Sequence, residues 1–161
     1  MGRISLTLPP ASILGLDTSI LIYHFEAHPL YSPLTDELLS GVEAGRWKAV
    51  TSVIALMEIS VRPIQSKHQN VARQVEALLA NFPHLEIVEI DRSVSRMAAR
   101  LWAEFHLRPP DALQAAACLQ GGCQTFITND RRLEKLCPIL GIMILDDYLS
   151  DAGPTPIPSL K

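Results

Sequence analysis

The sequence predicts an α/β fold with a central parallel sheet of about five strands and helices on both faces. Short β-type runs alternate with helical patterns along most of its length, and such alternation stacks strands side by side with helices across them. Two of the apolar runs, Ile13-Leu14-Gly15-Leu16 and Phe126-Ile127, are closely followed by aspartates, Asp17 and Asp130. A carboxylate at the carboxyl end of a buried strand marks the edge where open α/β sheets bind ligands. The length, 161 residues, suits one domain with one sizeable core.

The elements follow in order. Ile13 to Leu16 reads as the first strand, and Thr18 or Ser19 can cap a helix running from Ile20 to about Phe25, with Pro29 beyond it. Pro33 to Gly41 carries a second helical pattern. Trp47 to Thr51 is a strand, Ser52 a cap, and Val53 to Arg62 a helix that Pro63 is expected to end. Asn70 to Leu79 is helical, with Val71, Val75, Leu78 and Leu79 on one side. Leu85 to Ile90 is a strand and Ser93 to Phe105 a helix. Pro109-Pro110 opens the helix Asp111 to Leu119, and Gly121-Gly122 closes it. Gln124 to Thr128 is a strand, Arg131 to Leu136 a short helix, and Ile142 to Leu145 the last strand. Residues 1–150 are expected to form one domain, and 151–161, with Pro154, Pro156 and Pro158, a mobile tail.

Composition narrows the function. With 48% hydrophobic and 19% charged residues the chain is globular, and no apolar run approaches the ~20 residues needed to cross a bilayer. The start lacks the features of a signal peptide, so a cytoplasmic location is expected. Three cysteines, Cys118, Cys123 and Cys137, contain no CxxC pair and predict reduced, structural thiols. A net charge of -3 gives no global attraction to nucleic acid, so a polyanion would need a local basic surface.

Asp17, Glu58, Asp111 and Asp130 each interrupt or follow an apolar segment, where an isolated carboxylate is costly to bury. Each has an ordinary explanation. Asp17 can cap the helix after it, although Thr18 and Ser19 can do so equally well. Asp111 can belong to a plain helix start. Glu58, with Ile54, Ala55 and Val61 as helical neighbours, can pair with Arg62 at i+4. Asp130 can be a turn residue, with Asn129 as the cap. Taken together they form a candidate cation site, with Thr128 as a hydroxyl that positions a water or a partner carboxylate. Hard oxygen ligands without convergent His or Cys suit Mg²⁺ or Mn²⁺ rather than zinc. Such ions orient a phosphodiester and activate a water for in-line attack, which is nuclease chemistry. Clustered like charges also predict a raised pKa for one or more of these groups in the absence of metal.

Four segments, Leu16-Asp17-Thr18-Ser19-Ile20-Leu21-Ile22-Tyr23, Thr51-Ser52-Val53-Ile54-Ala55-Leu56-Met57-Glu58, Pro110-Asp111-Ala112-Leu113-Gln114-Ala115-Ala116 and Phe126-Ile127-Thr128-Asn129-Asp130, resemble the successive motifs of PIN-domain ribonucleases. The resemblance is greatest to the VapC toxins of bacterial toxin–antitoxin modules and runs from Ile13 to Leu145. It implies a PIN-like three-layer sandwich and a Mg²⁺- or Mn²⁺-dependent endoribonuclease. Asp17, Glu58 and Asp111 match the main acidic positions, Asp130 the fourth, and Thr128 the hydroxyl beside it. It also implies a homodimer and an antitoxin partner whose segment covers the metal cleft.

Further residues carry weaker signals. Arg131-Arg132 follows Asp130 and can hold a substrate phosphate, or stand as an exposed first turn. Arg92, Arg96 and Arg100 form an i, i+4, i+8 stripe that reads as a solvated face as readily as an RNA contact. His24 and His28 have metal-pair spacing, but Pro29 signals a helix end. Tyr23, Phe25 and Tyr31 can stack on unpaired bases or simply pack. Met97, Leu101, Trp102 and Phe105 read as core or dimer surface, and Asp146-Asp147 as a surface turn. Two other functions compete. An aspartate-nucleophile phosphatase would use Asp17, but Ser19 stands where its second Asp belongs. A catalytically silent RNA-binding module should lack an acidic residue, and all four are present.

Overall fold

A computed structural model describes residues 3–149 of the chain. The expected tail, 151–161, lies outside the described residues. Five strands, β1 (Ile13–Leu16), β2 (Lys48–Ser52), β3 (Leu85–Val88), β4 (Thr125–Thr128) and β5 (Gly141–Ile144), form one sheet in the order β3-β2-β1-β4-β5. Every pairing is parallel, with Gly15 opposite Val50 on one side and Phe126 on the other. The sheet is covered by helices on both faces, as the fold-class prediction required.

Helices α1 (Arg3–Thr7), α2 (Thr18–Phe25), α3 (Ser32–Glu43), α4 (Val53–Gln65) and α5 (Gln69–Ala80) accompany the run from β1 to β3. Their apolar sides meet the sheet in a core that includes Ile4, Leu14, Leu16, Ile20, Leu38, Trp47, Leu79 and Ile127. The chain then returns through α6 (Arg92–Phe105) and α7 (Pro109–Gln120) to β4. This second layer, with the 3-10 helix Arg131–Leu136, encloses a core around Val50, Val94, Leu101, Ala116, Phe126 and Leu136. Alternate residues of a central strand thus enter different cores, which explains continuous apolar runs instead of polar alternation.

The two crossover directions diverge between β1 and β4, leaving a crevice at their carboxyl ends. Helix α7 lies close over this part of the sheet because its inner residues are small: Ala112, Ala115, Ala116 and Ala117 are buried. Gly15 makes that approach compatible with β1. A Cβ there would fall 2.6 Å from Phe126 Cδ2 and 3.1 Å from Cys118 Sγ. Because α7 precedes a parallel strand, its first turn lies at the carboxyl edge, beside the crevice.

Several boundaries differ from expectation. The α1 segment was not foreseen, since five residues carry too little periodicity to announce a helix. Pro63 does not end α4; Ser66 and His68 N–H groups still reach the Arg62 and Pro63 carbonyls, so only the donor at Pro63 is lost. The thiols of Cys118, Cys123 and Cys137 are free, as expected. Among the described residues no helix is long and apolar enough to cross a membrane.

Candidate active site

At the crevice lies a cleft of about 440 Å³ lined by Asp17, Glu58, Asp111 and Asp130 among others. These carboxylates arrive from different elements: the end of β1, the second turn of α4, the first turn of α7 and the residue after the β4 loop. The folding of the sheet therefore assembles a charge cluster from residues separated widely in sequence.

Asp17 is the most constrained. Its backbone is extended, and its Oδ1 accepts from Thr18 N at 2.8 Å, so the aspartate itself caps α2. The expected alternative, a cap by Thr18 or Ser19, is corrected; α2 begins at Thr18, two residues earlier than predicted. Capping and site membership coexist because the carboxylate has two oxygens. Thr128 Oγ1 donates to the other, Oδ2, at 2.5 Å. The same hydroxyl accepts from Asp130 N at 3.0 Å, so one buried threonine orients two acidic residues.

Glu58 stands exposed at the rim, and its apolar neighbours divide: Ala55 is buried and Ile54 half-buried, whereas Val61 is 43% exposed. Nor does it pair with Arg62, whose Nη1 reaches Glu26 Oε1 at 3.1 Å across the α2–α4 contact. Asp111 receives Arg108 Nε at 2.9 Å. Asp130 caps the following 3-10 helix through Arg132 N at 3.0 Å and accepts from Arg132 Nη2 at 2.5 Å. Arg108 Nη2 lies 4.0 Å from the same Asp130 carboxylate.

The proton affinities follow from these surroundings. Burial pushes the Asp17 carboxyl up, with Asp111 and Asp130 adding to the effect and the hydrogen bonds from Thr128 and Thr18 opposing it. Partial burial also raises Glu58, and the charges of Asp17 and Asp111 act the same way. The Thr18 hydroxyl faces Glu58 without completing a hydrogen bond, and opposes that rise weakly. Arg132 instead holds Asp130 below the usual carboxylate range. Raised pKa values were expected from like-charge repulsion; burial proves the larger cause.

The donor chemistry fits a hard divalent cation. Besides the four carboxylates, Thr18 and Ser19 line the cleft with buried hydroxyl oxygens that have no hydrogen-bond partner among the described residues. Such atoms are normally satisfied by water or an ion, and magnesium retains several of its waters. Among the described residues, however, no three carboxylate, imidazole or thiol groups converge into a ready coordination shell. Arg108 and Arg132 serve as counter-ions to Asp111 and Asp130.

A model of the PIN domain family matches residues 15–137, a span containing all four carboxylates. The chain belongs to the PIN domain family. Solved structures share the PIN fold. The chain is 22% identical to one in a VapBC2 complex of Rickettsia felis bound to promoter DNA, covering 82% of this chain and 98% of that one, with a TM-score of 0.63. A DNA-bound VapBC of Salmonella typhimurium gives 20% identity, 83% and 98% coverage, and 0.62. VapBC-1 of nontypeable Haemophilus influenzae gives 16%, 83% and 98%, and 0.61. No curated protein matches by sequence.

Other expected site residues separate on this PIN scaffold. Arg132 lines the cleft, but Arg131 does not. Its guanidinium, expected either to hold a phosphate or to stand on an exposed first turn, is held by Asp147 and by Glu134, the latter at 3.3 Å. Arg92, Arg96 and Arg100 are exposed on α6 and take no part in the cleft. His24 Nδ1 contacts Asp36 Oδ1 at 2.8 Å, while His28 Nδ1 accepts from Leu30 N at 3.2 Å, so their helical spacing serves local structure.

Arg108 was missed in the sequence. Its sequence signal is the i, i+3 spacing to Asp111, which the Pro109-Pro110 helix start masks. Gln114 was also missed. It is buried, and its Nε2 donates to Leu16 O at 3.0 Å and Thr51 Oγ1 at 3.1 Å, while Ser52 Oγ donates to its Oε1. These bonds tie α7 to the ends of β1 and β2, immediately beside Asp17.

Proposed function

We propose that this PIN domain is a Mg²⁺- or Mn²⁺-dependent endoribonuclease, the toxin component of a VapBC-type toxin–antitoxin pair. The observation that carries this reading is the meeting of Asp17, Glu58, Asp111 and Asp130 in one cleft that also contains two arginines. Asp17, Glu58, Asp111 and Asp130 would hold the ion, and Thr128 would keep Asp17 in position. A bound ion supplies an activated water and electrostatic stabilisation of the leaving oxygen. Arg108 and Arg132 provide the local basic surface that the net charge does not, and orient the phosphodiester through charge-assisted hydrogen bonds. Unpaired RNA is the expected substrate because its backbone and bases are accessible in the open cleft.

Likeness to the VapBC structures supports an antitoxin partner for this chain as well. The side chains of Met57, Val61 and Ile64 on α4 and Val71 and Leu78 on α5 are exposed, giving such a partner apolar surface to cover. We assign residues 1–150 to one PIN-like domain, working as a cytoplasmic homodimer.

The test is cleavage of a mixed single-stranded RNA pool with Mg²⁺ or Mn²⁺, beside EDTA and Asp17→Asn controls. Ion-dependent cuts that the substitution reduces to background support the nuclease. Absence of both cleavage and calorimetric ion binding in the wild type rejects it.

A further inference from the structure

The cleft has two chemically different walls, contributed by opposite helical layers. Arg108 and Arg132 belong to the α7 side, whereas Ile22 and Tyr23 belong to α2. Tyr23 is not isolated. Its ring stacks on Tyr31, with centroids 4.3 Å apart and planes inclined by 25°. His28 closes the group, 5.1 Å from Tyr23 and 4.8 Å from Tyr31. Tyr23 and Tyr31 pack against the first core on one side, yet all three residues remain half-buried, unlike Trp47 and Phe126, which are fully buried.

Polar anchors hold this aromatic group against the catalytic edge. Tyr31 donates its hydroxyl to Asp146 Oδ1 at 2.5 Å, and this bond pushes its pKa up to about 12. Asn129, adjacent to Asp130, donates through Nδ2 to Tyr23 Oη at 3.4 Å and accepts through Oδ1 from Asp146 N at 2.8 Å. The stack and the Asp130 loop are therefore fixed to one another. A half-buried ring with its position already set loses little conformational freedom when a flat ligand covers it.

We propose that Tyr23, supported by Tyr31, forms a nucleobase subsite next to the scissile phosphate. A single-stranded polynucleotide passing between the walls places phosphate toward Arg108 and Arg132 and one neighbouring base toward Tyr23. Base–aromatic stacking tolerates any base identity, so this subsite selects an unpaired, unstacked nucleotide more than a particular letter. The inference rests on the ribonuclease reading and adds a feature of its substrate: a base that must leave the RNA stack.

The experiment uses a cleavable single-stranded RNA in which one abasic nucleotide is moved stepwise past the cleavage point. Wild-type kcat/KM should fall about 10-fold at one flanking position, the effect of losing one stacked base. Tyr23→Leu should show a similar fall on intact RNA and no further penalty from that abasic position. Tyr23→Phe, which keeps the ring, should retain the wild-type pattern. A 2-aminopurine placed there should be quenched on binding to wild type and Tyr23→Phe, but not to Tyr23→Leu. If wild type cleaves RNA and the abasic scan is flat, or Tyr23→Leu keeps the full positional penalty, the subsite is wrong and the nuclease reading survives. If wild type neither cleaves RNA nor binds the ion, both fall together.

Discussion

Thr128 links two acidic residues through one hydroxyl, so its loss should disturb ion binding more than its size suggests. Thr128→Val keeps the shape but leaves Asp17 Oδ2 and Asp130 N without this partner. Calorimetric Mg²⁺ affinity should fall ~10–100-fold, the usual effect of removing support from a metal ligand. An unchanged affinity would reject the positioning role. Arg108 predicts opposite effects on two ligands. Arg108→Gln removes a cation from Asp111, so Mg²⁺ should bind more tightly; the proposed phosphate contact is also removed, so RNA binding should weaken and its logarithmic salt slope drop by about 1. Tighter ion binding with an unaltered salt slope would leave Arg108 as a counter-ion only. Asp17 supplies a pH test. Its raised pKa means that protonation favours the folded state, and this stability is lost as pH rises through the folded-state value. In the absence of metal, Asp17→Asn should match wild type in acid and melt at a higher temperature than wild type toward neutral pH. Mg²⁺ should remove that advantage by stabilising wild type alone. Asp130 runs the other way: its lowered pKa contributes stability above the unfolded value and loses it in acid. Comparing the substitution with wild type cancels that opposing background.

At the scale of elements, local chemistry located most of the fold but could not set every boundary. The Ser52 cap was legible because a hydroxyl preceded a helical pattern, and its Oγ accepts from Ile54 N at 3.1 Å. Asp91 caps α6 in the same manner, one residue outside the helix. The choice of Asp17 over Thr18 was not legible, since both residue types cap well and only the position of Thr128 fixes the carboxylate. Gln114 illustrates a different limit. In the sequence it sits in what reads as a plain helix start, whereas its amide is needed where three elements meet. Gln114→Leu should destabilise the protein by about 1–3 kcal/mol, as expected when buried polar groups lose their partners. Urea unfolding with an unchanged midpoint would show that the network relaxes without cost. The arginine pair beside Asp130 divided for an equally nonlocal reason: Asp147, after β5, holds Arg131, while Asp130 holds Arg132.

Across the whole molecule, the order β3-β2-β1-β4-β5 turns four separated acidic residues into neighbours. The same topology leaves α6 with an outward face on which Trp102 is 54% exposed. If that surface makes the proposed homodimer, Trp102→Glu should change the light-scattering mass from two chains to one. A wild-type monomer, or a substituted dimer, would reject that interface.

By itself the sequence determined the alternating strands and helices, the apolar runs requiring burial on both sheet faces, and the oxygen chemistry of Asp17, Glu58, Asp111, Asp130 and Thr128. Those properties travel with residue type and local spacing. Only the tertiary structure decided that Arg108 also approaches Asp130, that Arg131 turns to Asp147, that Gln114 joins α7 to two strands, and that Tyr23 lines the cleft with Tyr31 stacked on it. The physical reason is common to all: a side chain's partner depends on which elements the path of the chain brings beside it.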